Sequence, residues 1–303
     1  MNRRSFLISA VALLPLSAVV AACGDDSSGD HPGSDRTDPA TTVAPTTTVA
    51  PTTTVAPTTT VPVITHPTGK DDVILRLGYD GGFVAPNTFF GRLPTLVIAG
   101  DLRVYVQGAQ IEIYPQPLLP PVLVGRITEQ RLQDVLRAAE KASLFRAITY
   151  GDPPNGIADA PDTTLVVAAN GVTYTHTAYA LGMGTPETDP DRKALADFVD
   201  SLGPITAGVP GTQPFAAEHY AIKAVNADQL TPPSGITPNE VPWPAAAGVK
   251  LADAAECKVV DATAVGALFA AANGETRFVD AGAKYVLYVR PMLPGDAGCP
   301  APG

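Results

Sequence analysis

Beyond Lys70 the apolar positions keep two rhythms, a period of two and a period of 3.6, and the switches between them predict the elements. Val73-Ile74-Leu75-Arg76-Leu77 reads as a strand and Asp80-Gly81-Gly82 as a turn. Leu96-Val97-Ile98 and Val104-Tyr105-Val106 flank Gly100-Asp101, and Ile111-Glu112-Ile113-Tyr114 alternates apolar with polar, so three short antiparallel strands are expected. From Thr128 the period lengthens. Leu132, Val135, Leu136 and Ala139 share one helical face, with Thr128 as N-cap and an end near Ser143. Two strand runs, Thr164 to Ala169 and Val172 to His176, then close around Asn170-Gly171, the pair suited to a type I′ turn. A second helix is signposted by Asp189-Pro190 at its start, Leu195, Phe198, Val199 and Leu202 on its face, and Gly203-Pro204 as its stop. Ala217 to Val225 and Cys257 to Val260 read as strands, and Leu230 to Pro244 as a Pro-rich loop around Trp243. Asp261 caps a third helix carrying Val265, Leu268, Phe269 and Ala272, closed by Asn273-Gly274. Arg277-Phe278-Val279 and Tyr285 to Val289 make a last hairpin, whose second strand is apolar enough to be central. The pattern predicts an α+β fold, antiparallel sheet or sheets with three helices packed on one face. Two subdomains, 70–208 and 209–303, are preferred over one domain spanning 70–303.

Ahead of that lies a different kind of sequence. Arg3-Arg4 precede an apolar run from Phe6 to Ala22 that is broken by Ser9, Pro15 and Ser17, too short for the roughly 20 residues of a spanning helix. Residues 1–22 therefore read as an export signal. Asp25, Asp26, Asp30, Asp35 and Asp38 follow with no apolar period, and then Val-Ala-Pro-Thr-Thr-Thr repeats from Val43 to Thr60. Such a stretch cannot bury enough surface to fold, so 23–69 is expected to be a disordered Thr/Pro-rich linker. In extended polyproline form it would reach roughly 140 Å at about 3.1 Å per residue. It serves either as a spacer through a cell-wall layer or as a plain solubilising linker, and its threonines are candidates for O-glycosylation.

Arg3-Arg4 with Phe6-Leu7 resembles a twin-arginine signal, and Val20-Ala21-Ala22-Cys23 resembles a bacterial lipobox. The resemblance implies lipidation at Cys23, with palmitate-class acyl chains as the membrane anchor. Two chains hold a protein stably where one does not. The implied location is the outer face of the cell membrane, with the lipid bilayer as a partner through Cys23. Once Cys23 is assigned to lipid, Cys257 and Cys299 remain as a pair in an oxidising compartment, and a disulfide is the natural reading. A catalytic or metal-binding Cys is the rival, although neither has a His or second Cys at ligand spacing.

Composition narrows the partners. With 30 acidic against 20 basic residues and a net charge of −10, the chain lacks the basic footprint of a nucleic-acid binder. Thirty-one prolines disfavour a helical bundle. No nucleophile elbow, zinc-binding His pair, P-loop, dinucleotide fingerprint or EF-hand is present, so no catalytic residue, cofactor or metal is assigned. His31 and His66 fall in the linker; His176 on a hairpin strand reads as a packed or surface residue. His219 and Glu218 point to opposite faces of a predicted strand and make no obvious dyad. Asp152, Asp159 and Asp162 share a Pro-rich loop that would suit Ca²⁺ or, more commonly, turn formation. Phe83, Phe89 and Phe90, in a Gly-flanked loop, are candidate binding anchors, as is the Leu118-Leu119 run; the alternative is that both loops fold back over the sheet.

The Gly-Gly-Phe segment at Gly81, the Pro94 to Ile98 strand and the closing Arg290 to Pro294 resemble uncharacterised exported bacterial lipoproteins, a likeness that implies no activity. Gly81-Gly82-Phe83, followed by strands and the helix from Thr128, makes residues 72–145 similar to emfourin-type metallopeptidase inhibitors, which implies a fold for that stretch and binding to a protein. The reading is a membrane-anchored binding or interaction module, with a cell-envelope protein as candidate partner; a protease inhibitor and an enzyme of unfamiliar type are the alternatives.

Overall fold

The period-two segments pair into two sheets, because each strand has one face to bury and a neighbour of the same rhythm to bury it with. The computed structural model describes residues 62–84, 87–153, 156–230 and 235–299. The expected signal, Cys23 and the repeats of the expected linker lie outside the described residues. Among the described residues no helix is long and apolar enough to cross a membrane.

In chain order the elements are β1 (Val73–Gly81), α1 (Thr88–Gly91), β2 (Leu96–Ala99), β3 (Arg103–Gln107), β4 (Val122–Arg126), α2 (Glu129–Lys141), β5 (Pro161–Ala169), β6 (Val172–Tyr179), α3 (Pro190–Ser201) and α4 (Gly203–Thr206). They continue with β7 (Gln213–Pro214), β8 (His219–Asn226), β9 (Glu240–Pro242), β10 (Lys258–Asp261), α5 (Ala262–Ala271), β11 (Arg277–Asp280) and β12 (Ala283–Pro291). One sheet has the order β6-β5-β1-β2-β3-β4-β7, the other β10-β8-β12-β11-β9. The fold class is α+β. Every pairing is antiparallel except β9 with β11, which is parallel.

The caps act as the sequence predicts. Thr128 accepts from the Arg131 N–H, Asp189 from Arg192 N–H and Asp261 from Thr263 N–H, each satisfying a donor that the helix start leaves free. Asn170 and Gly171 both take positive φ, 53° and 76°, as a type I′ turn requires.

Alternation sorts the first sheet into two faces. Leu75, Leu77, Leu96, Ile98, Val104 and Val106 pack under α2 and α3. Val97, Ala99 and Tyr105 point the other way and meet Val122 and Leu293. The second sheet buries Tyr220, Ile222, Leu287 and Val289 against Val265 and Phe269 of α5, with Trp243 and Phe278. The apolar strand β12 is central, as expected.

Three expectations are corrected. Ile111 to Tyr114 is a loop, its side chains exposed, because no neighbouring strand pairs with it; the strand beside β3 is β4, whose start Pro120-Pro121 obscures. α3 ends at Ser201, ahead of Gly203-Pro204 as expected, and the separate four-residue α4 follows, since Pro at a first turn lacks only an orphan N–H. The 230–244 loop contains the strand β9. Residues 62–69, expected as linker, lie on the folded part: Ile64 is buried, its N–H donates to Gln133 Oε1 at 3.0 Å and its carbonyl accepts from Gln133 Nε2 at 2.9 Å.

The chain also crosses between the sheets away from residue 208. β7 belongs to the first sheet, Leu118 and Leu119 pack on the second core, and Leu293 returns to the first.

Candidate functional site

The C-terminal tail makes the junction that matters. After β12 it runs across the face of the first sheet that α2 and α3 leave open, burying Leu293. Asp296 then bolts the sheets together. Its Oδ1 accepts from Arg76 Nη2 of β1 at 2.9 Å and from Arg290 Nη2 of β12 at 2.7 Å, and its Oδ2 accepts from the Leu293 N–H at 2.9 Å. Gly295 is pressed so close that a Cβ there would lie 2.4 Å from Val73 Cγ2, and it takes a φ of 82°. Three residues beyond the bolt Cys299 is disulfide-bonded to Cys257, with Cα atoms 5.9 Å apart.

Between this tail, the turn at Lys70 and Asp71, and the connector that leads into β8 is a cleft of about 300 Å³. The walls are tied by backbone bonds: Phe215 N–H donates to Val122 O at 2.8 Å, and Met292 N–H to His219 O at 3.0 Å. Next in the chain to the Lys70 and Asp71 turn, Asp72 O accepts from the Gly100 N–H at 2.9 Å. Lys70 Nζ lies 3.3 Å from Asp71 and 3.6 Å from Glu218, and the two carboxylates raise its pKa, Asp71 first. Arg103 donates from Nε to Asp101 Oδ2 at 2.7 Å and from Nη2 to Lys70 O at 3.3 Å.

Tyr105, from β3, lines this cleft. Its ring meets Phe215 edge-on at 5.0 Å, and the Arg103 guanidinium carbon sits 5.5 Å from the ring centre. Tyr105 is 1% exposed, and its hydroxyl has no hydrogen-bond partner among the described residues. Burial pushes its pKa up; Arg103 opposes that, while Asp101, Asp71 and Glu218 add to it. The phenol thus feels the charges of the cleft walls and keeps its proton as a donor. A buried donor left without an acceptor costs about 1–3 kcal/mol, which is why nearly all such groups are paired.

A second cleft, of about 430 Å³, lies where α1 packs against β12, lined by Arg92, Leu93, Gln107, Leu118 and Tyr288 among others. Arg92 and Gln107 are already engaged: Arg92 Nη1 donates to the carbonyls of Tyr79 and Gly81, and Gln107 Nε2 to that of Leu93.

The three Phe of the Gly-flanked loop do not form one exposed patch. Phe83 is 89% exposed, whereas Phe90 is buried where α1 turns it inward, and half-buried Phe89 lies under Arg92, 4.9 Å from its ring centre. His176 is fully buried. Its Nε2 lies 2.9 Å from Leu144 O and its Nδ1 2.9 Å from the Tyr150 hydroxyl, so Nε2–H donates to the carbonyl and Nδ1 accepts from the phenol. Burial lowers the His176 pKa and pushes that of Tyr150 up to about 12, which keeps both neutral. This His is core. Asp152, Asp159 and Asp162 line neither cleft, and among the described residues no three His, Cys, Asp or Glu side chains are grouped to hold a metal ion. Glu218 and His219 do come together at the Tyr105 cleft, because β8 begins only at His219 and Glu218 belongs to the connector.

Comparison with protein-family models, with curated proteins and with solved structures finds no match to this chain. The likenesses to exported lipoproteins and to emfourin-type inhibitors therefore rest on the residues quoted for them.

Proposed function

We propose that this chain is an exported lipoprotein, held at the outer face of the cell membrane through Cys23, and that its folded part is a binding module whose ligand site is the Tyr105 cleft. One observation carries the binding reading: a buried phenol with no partner, set in an open cleft walled by charged side chains. A site that hydrogen-bonds a ligand keeps such a donor in place beforehand, so that binding need not order it. The lipobox at Val20 to Cys23 supports the anchor.

Native mass spectrometry of the full chain, purified from its cell envelope, tests the module. A bound small molecule that is absent from Tyr105→Phe is expected; bare protein from both forms overturns the reading. Palmitate labelling and membrane partition, both lost in Cys23→Ser, test the anchor. The 89% exposure of Phe83 favours a second reading, contact with a cell-envelope protein. Cross-linked partners that vanish in Phe83→Ser would promote it.

A further inference from the structure

The chemistry of the cleft narrows its ligand. We propose that the Tyr105 cleft takes a small zwitterion carrying one carboxylate and one ammonium group, the chemistry of a free α-amino acid; the proposal rests on the binding-module reading above.

Size is the first argument. At about 300 Å³ the cleft stands at the lower end of ligand-pocket volumes, which suits a molecule of a few heavy atoms and excludes an oligosaccharide or a folded peptide. Among the lining residues, Tyr105 carries a buried hydroxyl with no partner among the described residues. Its hydrogen needs an acceptor, and a carboxylate makes the strongest and shortest bond to it. Arg103, stacked beside that ring, adds a cation on the same side.

The rim supplies the opposite sign. Asp71 and Glu218, with side chains 72% and 77% exposed, share one ammonium, that of Lys70. Exposed pairs of this kind are worth about 0–1 kcal/mol, so they exchange partners at little cost. A ligand ammonium at the rim would pair with whichever carboxylate Lys70 releases. A simple anion would meet Asp71, Glu218 and Asp101; a simple cation would meet Lys70 and Arg103 and leave the phenol hydrogen without an anionic acceptor. Only a molecule bearing both charges pairs with both sets. Asp296 takes no part, because Arg76, Arg290 and the Leu293 N–H already fill its oxygens.

Isothermal titration of the full chain, dialysed free of ligand, with each proteinogenic L-amino acid tests the proposal. At least one is expected to bind. Its affinity should fall about tenfold in Tyr105→Phe, the loss of one hydrogen bond to a charged group. Its N-acetyl and amide derivatives, each lacking one charge, should bind at least tenfold more weakly. Glu218→Gln should weaken the free amino acid and leave the N-acetyl form unchanged; because Glu218 is exposed, this variant reports even if Tyr105→Phe alters the fold, which melting curves of both will show. Binding indifferent to both substitutions, or equal binding of the N-acetyl, amide and free forms, overturns the proposal. If no amino acid binds while native mass spectrometry still finds a small molecule that Tyr105→Phe loses, the zwitterion is wrong and the cleft remains the site. If both experiments are empty, both readings fall.

Discussion

Glu187→Gln should destabilise the folded part more than any surface substitution. Glu187 and Arg192 form an ion pair whose side chains are 5% and 1% exposed. Arg192 Nε donates to Glu187 Oε2 at 2.7 Å and Nη2 to Oε1 at 2.8 Å, a two-point bond. The same guanidinium donates to Gly151 O at 2.9 Å and to Tyr179 O at 3.0 Å, so one side chain of α3 ties down the segment ahead of β5, the end of β6 and the β6–α3 loop. Gly182 N–H also donates to Glu187 Oε1 at 2.9 Å. Removing one partner of a dry pair strands the other charge, and such losses run to about 3–5 kcal/mol. Gln keeps the shape but turns an NH₂ toward the guanidinium, so about 3 kcal/mol is expected. At roughly 2–4 °C per kcal/mol for a folded part of this size, the melting temperature should fall by roughly 6–12 °C.

The same pair predicts a pH dependence. The hydrogen bonds from Arg192 hold the Glu187 carboxyl below its ordinary pKa, the Gly182 N–H adds to that, and burial opposes it. A carboxyl with a folded pKa below its unfolded one stabilises fully above the unfolded value, about 4.3, and loses that contribution as pH falls through the folded value. The gap between wild type and Glu187→Gln in urea unfolding should therefore be widest at neutral pH and close below about pH 4. A loss under about 1 kcal/mol at pH 7, or a gap unchanged from pH 7 to pH 3, would refute the reasoning. Replacing both residues by apolar ones should recover only part of the loss, because Gly151 O and Tyr179 O would then have no donor.

Three further outcomes follow from the packing. Tyr105→Phe should raise the urea midpoint of the ligand-free chain by the equivalent of about 1 kcal/mol, since it removes an unpaired buried hydroxyl; an equal loss would mean that the hydroxyl has a partner. Reducing the Cys257–Cys299 bond, which spans 42 residues of sequence, should cost about 4 kcal/mol by chain entropy, and a melting temperature unmoved by reductant would contradict that. Gly100→Ala places a Cβ 2.5 Å from Gly69 O and 2.8 Å from Gly69 N, so the 68–70 segment must shift, at roughly 1–3 kcal/mol, and proteolysis within 62–70 should quicken.

What the sequence made legible was local. Thr128, Asp189 and Asp261 sit immediately before a run of helical period, and Asn170-Gly171 between two strand runs, so each announces itself within a few residues. Whether alternation becomes a strand depends on a partner. Ile111 to Tyr114 has the rhythm without the neighbour, while Val122 to Arg126 has the neighbour without a clear rhythm. The cleft is less legible still, because Lys70, Tyr105, Glu218 and Leu293 come from four separated stretches. Tyr105 read as one apolar residue of a strand, and only its position on the face away from α2 and α3 makes it a site residue. Glu218 and His219 were noticeable as a pair, yet strand periodicity argues against their convergence, and the sequence does not mark where β8 starts.

Stability and binding meet at Tyr105. The tail that closes the cleft is fixed by the Asp296 bolt, by buried Leu293 and, three residues on, by the disulfide, so the donor cannot easily swing out to water. A fold that needed only stability would place Phe at position 105, keeping the contact with Phe215 and losing the orphan hydroxyl. Local rules are broken most often where function asks for it. The rigid surroundings turn the unpaired group into a preorganised one: its desolvation penalty is already present in the free protein, and a ligand acceptor recovers it on binding. The predicted gain in stability and loss of affinity in Tyr105→Phe are thus two readings of one hydroxyl, and a variant that changed only one of them would separate a strained core from a binding site.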